Sequence, residues 1–342
     1  MAIQEAIKQV AAGRDLSRIE MQDVMRNMMS GEATDAQFGA FLTAMMIKGE
    51  TMEEITGAAT IMRELSEKVS TKQEKVVDCV GTGGDGARLL NVSTASAIVA
   101  SVSGLAMAKH GSRAATGKSG SADMLESAGV NIRINAGQVG QCIDECGIGF
   151  MFAPTHHTAM RYGIGPRKQI GIRTIFNVLG PLTNPAGARF QLAGVFSQHL
   201  VRPIAEAYAE LGSKHTLVVC SDDGLDEISV AAPTRVAEYS GGRLKEYQIE
   251  PEQFGFARSS IDELVVENAL DSLEKIRNVF DGKKGSAYDI VAFNAGATIY
   301  AGDRTDTLAE GIELARSILD SGKGNQKFDQ LIEYSNSFAG SE

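Results

Sequence analysis

The glycine turn Gly81-Thr-Gly-Gly-Asp-Gly86 and the basic stretch after it are the residues of this chain best suited to hold an anion. No acid stands between Asp85 and Asp123, although the chain has 43 Asp and Glu against 33 Lys and Arg. That window contains Arg88, Lys109, His110, Arg113 and Lys118, interleaved with Gly, Ser and Thr. Glycines let the backbone approach a ligand closely, and successive N–H groups in such a turn form an anion-binding concavity. Asn91-Val-Ser-Thr94 then places polar side chains and free N–H groups where a helix is expected to start, and the macrodipole there favours negative charge. Lys109-His-Gly-Ser-Arg113 follows a predicted buried strand, at the kind of sheet edge where open α/β folds put ligands. Ser119-Gly-Ser-Ala-Asp123 opens another helix with a second set of donors. Together these features predict a site for a sugar phosphate bearing a diphosphate.

Two commoner readings of the turn fail. Gly81, Gly83 and Gly86 satisfy G-x-G-x-x-G, but a dinucleotide fold needs an acid about twenty residues on to hold the ribose. Here that region ends in Lys109. The turn is not a Walker loop either, because no Gly-Lys-Ser/Thr closes it at the required spacing. Further along, adjacent Asp226 and Glu227 follow an Asp222-Asp223-Gly224 turn and suit a hard cation that shares waters with phosphate oxygens. Arg167 offers a planar fork for a carboxylate, although alone it reads as one more surface arginine. Cys142 and Cys146, one helical turn apart, read as small half-buried residues rather than a metal pair. No Ser-His-Asp or Cys-His nucleophile set is evident.

These residues need a scaffold. At 342 residues, 43% of them hydrophobic, the chain is predicted to fold as two domains. A net charge of −10 and a pI near 5.2 argue against nucleic acid as partner. The first residues predict an amphipathic helix rather than a secretory signal, the longest apolar run is too short and too broken for a membrane span, and the scattered cysteines suit a reduced, cytoplasmic setting.

Residues 1–70 read as all-helical, with capping boxes at Ser17-Arg-Ile-Glu20, Thr34-Asp-Ala-Gln37 and Thr51-Met-Glu-Glu54. Apolar residues then recur at helical spacing: Ile19, Met21, Val24, Met25, Met28; Phe38, Phe41, Leu42, Met45; Ile55, Ala58, Ile61, Met62, Leu65. Such methionine-rich faces suit a core, with an adaptable subunit interface as the other reading. From residue 71 the pattern alternates: strands at 76–80, 105–108, 149–153 and 215–220, helices at 91–101, 120–128, 138–146 and 305–319. A hairpin over 235–239 and 243–249 turns at Gly241-Gly242, and the apolar run 289–294 reads as a further buried strand. The expectation is an α/β protein: a small helical N-terminal domain, and a larger domain whose mixed central sheet is flanked by helices.

The motifs carry a resemblance. Gly81-Thr-Gly-Gly-Asp85, Asn91-Val-Ser-Thr94, Lys109-His-Gly-x-Arg113 and Gly120-Ser-Ala-Asp123 resemble the anthranilate phosphoribosyltransferase family of tryptophan biosynthesis. Phe152-Ala-Pro-x-x-His157, the run Arg173-Thr-Ile-Phe-Asn-Val-Leu-Gly-Pro-Leu-Thr-Asn-Pro185 and Asp223-Gly-Leu-Asp-Glu227 extend it over most of the chain. The resemblance implies a homodimer formed through a helical domain of residues 1–70, joined by helices from about 158–184. It also implies an α/β domain of residues 71–157 and 185–342, with the active site at the hinge. The implied reaction joins anthranilate to 5-phosphoribosyl 1-diphosphate and releases diphosphate with Mg²⁺, two ions per site. By position, Gly81, Gly84, Asp85, Asn91, Val92, Ser93, Thr94, Lys109, Gly117 and Ser121 would hold the phosphoribosyl diphosphate. Gly81, Ser112, His157 and Arg167 would meet anthranilate, and Ser93, Asp226 and Glu227 would bind the metal. Lys109 and Arg167 would act by electrostatics and positioning. For His156 and His157 an ordinary hydrogen-bonded role stays open.

Departures from the family pattern are Ser112 where asparagine is usual, Leu89-Leu90 for Thr-Phe, Ala115-Thr-Gly117 for a serine-bearing run, and Thr158 for proline. Loss of a hydrogen bond to a charged group, about 1.5–3 kcal/mol, predicts weaker substrate binding with activity retained. Two alternatives stand beside this reading. A pyrimidine nucleoside phosphorylase would use inorganic phosphate and would not require Asp226-Glu227, and a non-catalytic binding paralogue would carry a basic surface.

Overall fold

Each predicted capping box forms, and each fixes where a helix begins. In the computed structural model, which describes residues 1–83, 86–114 and 119–338, helix α1 spans Ile3–Ala11, α2 Arg18–Ser30, α3 Asp35–Lys48 and α4 Met52–Leu65. The hydroxyls of Ser17, Thr34 and Thr51 accept the N–H of the third helical residue, whose own side chain returns to the cap backbone. Gly31, in the left-handed region, ends α2. Met21, Met25, Met28 and Met45 are fully buried, so the dense methionines are core. Ile19 and Leu65, expected on the same apolar faces, instead point to solvent. Glu54, wholly inaccessible, accepts from Leu16 N–H and from the ammonium of Lys48, which also reaches Asp15. This ties the α3–α4 turn to the α1–α2 turn.

Beyond the bundle the order is β1 (Val76–Gly81), α5 (Val92–Val102), β2 (Ala106–Gly111), α6 (Ser121–Ser127), α7 (Ala136–Cys146), β3 (Ile148–Phe152) and α8 (Ala153–His156). Helices α9 (Arg161–Ile170) and α10 (Phe176–Leu182) turn back to the bundle, where Phe176 stacks on Phe38 of α3. The chain then adds β4 (Phe190–Gly194), α11 (Val201–Glu210), β5 (His215–Ser221), β6 (Thr234–Ser240) and β7 (Arg243–Ile249). It closes with α12 (Ala269–Phe280), α13 (Ser286–Ala301), α14 (Leu308–Asp320) and α15 (Lys323–Asn336).

The described strands form one mixed sheet in the order β3-β2-β1-β4-β5-β6-β7. The first five are parallel, and β6 and β7 run antiparallel through a turn in which Gly241 and Gly242 both take positive φ. One core packs α5, α13 and α14 on one face of the sheet. On the other face a second core runs without a break from the bundle through α10 and α11 to Val80, Ala193 and Val218.

Three expectations need correcting. Residues 289–294 lie inside α13, a helix buried almost all round, and a fully buried helix shows no polar face to betray its period. Strand β4, central in the sheet, had no reading as a strand, and it buries Gln191 in a short run. Lys109 and His110 belong to β2 rather than following it, and both are almost wholly buried.

Candidate active site

Parallel strands deliver their C-terminal ends to one edge, and glycines stand where the closest approach is needed. Gly81 at the end of β1 pairs with Gly194 at the end of β4. The segment after β5 crosses directly over this pair. A Cβ on Gly194 would fall 1.5 Å from the carbonyl oxygen of Asp226, and one on Gly81 would fall 2.3 Å from its Oδ2. The Gly83 N–H donates to Asp226 Oδ2 at 2.6 Å, so the glycine turn and the acidic pair are locked together. Thr82 N–H donates to Gly194 O, and Thr82 Oγ1 accepts from Phe196 N–H.

The first turn of α5 faces the same edge. Asn91 occupies its N-cap without capping it; the Asn91 carboxamide instead exchanges hydrogen bonds with Ser119 and accepts from Ser272 on α12. Helix-start N–H groups are thus left uncapped by Asn91, although Val92 N–H is taken by Leu90 O. Thr94 Oγ1 is buried without a hydrogen-bond partner among the described residues. Leu89 bridges Val265 and Leu90 N–H donates to Leu264 O, so the Leu89-Leu90 departure packs this approach onto residues 264–266. Opposite, the start of α6 presses on β2: a Cβ on Gly111 would meet Ser121 Cβ at 3.1 Å. Gly120 lies so close to residues 112–114 that a Cβ would sit 2.2 Å from Ala114 N. Ser112 is exposed, with its carbonyl accepting from Ala122 N–H.

The acid-free window is less basic in three dimensions than in sequence. Arg113 pairs with Asp123 and Glu126, both brought in by α6. His110 is neutral, because burial and the neighbouring His157 and Lys109 push it well below the usual histidine range. Lys109 is the buried cation of the edge, with Nζ donating to His110 O at 2.9 Å. Gly84, Asp85, Gly117 and Lys118 lie outside the described residues.

Three histidines cluster beside Lys109. His110 Nδ1 lies 3.3 Å from Gly180 O, and its ring centroid is 5.1 Å from that of His157. Burial pushes His157 down to about 4 against a backbone contact from Thr183, and among the described residues neither ring nitrogen makes a well-formed hydrogen bond. His156 Nδ1 approaches Glu67 O, with its Nε2 unpartnered among the described residues. Arg167, on α9, is largely buried and lies over the Phe176 ring at 5.1 Å. Burial lowers its pKa, and among the described residues no carboxylate is paired with it. Burial raises the Cys79 thiol to about 12, which removes it as a nucleophile.

Asp226, Glu227 and Ser93 are all hard oxygen donors, a set that fits Mg²⁺. Among the described residues no three His, Cys, Asp or Glu side chains close around a metal position. An ion held here would keep waters or substrate oxygens in its shell, as Mg²⁺ characteristically does.

Sequence reasoning missed Asp78 and Asn184. Asp78 is wholly buried in β1 and accepts from His110 N–H and from Asn184 Nδ2. A lone acid in an apolar strand was the available signal for the first, and the Leu-Thr-Asn-Pro run for the second.

This architecture has relatives. Residues 4–66 match the helical bundle domain of a glycosyl transferase family, and residues 73–325 match the a/b domain of that family. Fold and site therefore define a glycosyltransferase-type enzyme. Anthranilate phosphoribosyltransferase of Ectopseudomonas mendocina is 52% identical over 97% of this chain and 97% of its own length, and that of Marinomonas sp. is 53% identical over 99% and 98%. The crystal structure of the Thermus thermophilus enzyme superposes with a TM-score of 0.92 at 39% identity, covering 97% of this chain and 99% of that one. The Saccharomyces cerevisiae enzyme in complex with PRPP and Mg superposes with a TM-score of 0.89 at 28% identity, covering 98% of both chains. The chain belongs to the anthranilate phosphoribosyltransferase family. No helix among its described residues is long and apolar enough to cross a membrane.

Proposed function

We propose that the chain transfers the phosphoribosyl group of 5-phosphoribosyl 1-diphosphate to the amine of anthranilate, giving N-(5-phosphoribosyl)anthranilate and diphosphate. This is the second step from chorismate to tryptophan. The observation that carries the reading is the passage of Asp226 over the paired glycines Gly81 and Gly194, which sets a carboxylate against an anion-binding turn. Asp226 already accepts from Gly83 N–H, and a phosphate brought beside this carboxylate would need a cation between the two charges. Mg²⁺, two ions per site, would be held by Asp226, Glu227 and Ser93, and would supply charge neutralisation for the departing diphosphate.

The remaining roles belong to the chain itself. Gly81, Gly84, Asp85, the start of α5 from Asn91 to Thr94, Lys109, Gly117 and Ser121 hold the phosphoribosyl diphosphate. Lys109 faces the negative charge that gathers on the leaving group as the anomeric carbon becomes oxocarbenium-like. Arg167 receives the anthranilate carboxylate, which replaces the counter-ion its buried guanidinium lacks among the described residues. Gly81, Ser112 and His157 complete the acceptor pocket. His157, neutral through burial, adds no positive charge beside the attacking amine. An aromatic amine is unprotonated near neutral pH, so positioning supplies most of the acceleration and no strong base is required.

The helical domain comprises residues 1–70 with the helices of about 158–184, and the active site lies at its hinge with the α/β domain. Exposed Ile19, Met46 and Ile47 support homodimerisation through the helices. The setting is cytoplasmic. The test is loss of anthranilate fluorescence with phosphoribosyl diphosphate and Mg²⁺ added together or singly. Loss only with both supports the reading; turnover of thymidine or uridine with phosphate refutes it.

A further inference from the structure

The backbone ladder between β1 and β2 is short. The two strands pair only at Val76 with Ala106 and Val77 with Met107, whereas β2 stays paired with β3 as far as Gly111. Past Met107 the side of β2 that faces β1 is completed by side chains. Asp78 Oδ1 takes the His110 N–H at 3.1 Å, and Asn184 Nδ2 donates both to Ala108 O at 2.8 Å and to Asp78 Oδ2 at 2.7 Å. Asn184 in turn accepts from Ala186 N–H, which fixes the turn leading into β4. A carboxylate and a carboxamide therefore stand in the gap as a wedge, immediately below the residues that reach the ligand edge.

We propose that Asp78, acting with Asn184, is a positioning residue of the active site: the pair splays β1 from β2 and sets where Lys109 meets the diphosphate. This rests on the reading that Lys109 and the turn after β1 hold the phosphoribosyl diphosphate.

The energetics separate this role from a structural one. Burial raises the Asp78 carboxyl to about 6, against the opposing pull of the Lys109 charge and the Asn184 and His110 hydrogen bonds. A carboxyl whose folded value lies above its unfolded one favours folding below the ordinary carboxyl range, and that contribution is lost as pH rises through about 6. At neutral pH the desolvated ion is thus a cost that its two accepted hydrogen bonds offset in part, and the acid limb of a pH profile is a readout that a purely structural role would not move. The charge is useful to Lys109. Among the described residues the ionisable groups near Asp78 also include His110 on β2, Tyr208 on α11 and Cys79 beside it on β1, with Arg63 of α4 next to Tyr208.

The experiment compares wild type, Asp78→Asn and Asn184→Ala by kcat, by KM for each substrate from about pH 5 to about pH 9, and by thermal melting. Wild type is expected to lose affinity for phosphoribosyl diphosphate as pH falls through about 6. Asp78→Asn turns an NH2 toward His110 N–H or Asn184 Nδ2 and should melt somewhat below wild type at pH 8, but it should also raise that KM about tenfold, leave the anthranilate KM in place, and abolish the acid limb. Asn184→Ala should move the limb to higher pH, because the amide that favours the carboxylate is gone. The inference is overturned if both variants retain the wild-type KM and acid limb. It is equally overturned if their losses track melting temperature with the limb unmoved. Absence of transfer by wild type would instead remove the functional reading itself.

Discussion

Gly81→Ala isolates the contact between the glycine turn and the acidic pair. The new methyl group would stand 2.3 Å from Asp226 Oδ2, and ordinary contact begins at 3.4 Å, so the carboxylate must retreat by about 1.1 Å. The clashing atom is the end of a side chain, which can swing away, so the fold should survive. The retreat breaks the 2.6 Å hydrogen bond from Gly83 N–H. Such a bond to a charged group is worth about 1.5–3 kcal/mol, or roughly ten- to hundredfold in kcat/KM if it positions the metal-bound substrate. A displacement of about 1 Å near the reacting centre carries a comparable penalty. Steady-state assays across a Mg²⁺ titration should show that loss together with a raised Mg²⁺ requirement, while the melting temperature moves by only a few degrees. Activity within twofold of wild type at unchanged Mg²⁺ dependence would refute the reasoning. Gly194→Ala is the contrast, since its methyl group would meet backbone at 1.5 Å and no rotation relieves it; unfolding at a much lower temperature is expected.

Other outcomes follow from the same geometry. Arg167→Ala should raise the anthranilate KM at least tenfold, and Arg167→Lys should restore little of it, because the fork rather than the charge matters; kinetics with each substrate varied in turn check this. Ser112→Asn should lower the anthranilate KM, and no change would remove the shortened side chain as a cause of weak binding. Lys48→Ala leaves the inaccessible Glu54 carboxylate with its Leu16 and Thr51 donors but no cation, and should cost about 1.5–3 kcal/mol in denaturant unfolding. His215 bridges Glu238 and Asp303, which raise its pKa against burial, while Glu238 falls to about 2. The histidine term is complete below the ordinary histidine value and fades as pH rises through the raised one; the glutamate term is complete above the ordinary carboxyl value and is lost only as pH falls through about 2. His215→Gln should therefore destabilise more at about pH 5.5 than at about pH 8.5, and equal losses in urea unfolding at both would contradict it.

The helical N-terminus was legible because its signals are local. Ser17, Thr34 and Thr51 fix helix starts through neighbours three residues away, so no tertiary knowledge is required. The turn at Gly241-Gly242 is read for the same reason. What misled were residues whose surroundings come from far along the chain. Residues 290–293 are apolar because α13 is enclosed by other elements, and enclosure erases the periodicity that separates helix from strand. Arg113 seemed available to an anion until α6 placed Asp123 and Glu126 against it. The candidate site shows the same division. Its glycines and acids stood out as motifs, whereas the passage of Asp226 over Gly81 and Gly194, and the wedge of Asp78 with Asn184, depend on which strands become neighbours.

Helix α10 ends in a manner that binds the two matched segments into one folding unit. Its last carbonyls are met in succession by side chains from three elements: Gly180 O by the His110 ring of β2, Pro181 O by the Tyr208 hydroxyl of α11, and Leu182 O by the Arg63 guanidinium of α4. Residues 4–66 expressed alone would carry an arginine with nothing to grasp, and the remainder would keep an acceptor facing bare solvent. Grafting the bundle of a distant relative onto this sheet would require transplanting that handshake as well.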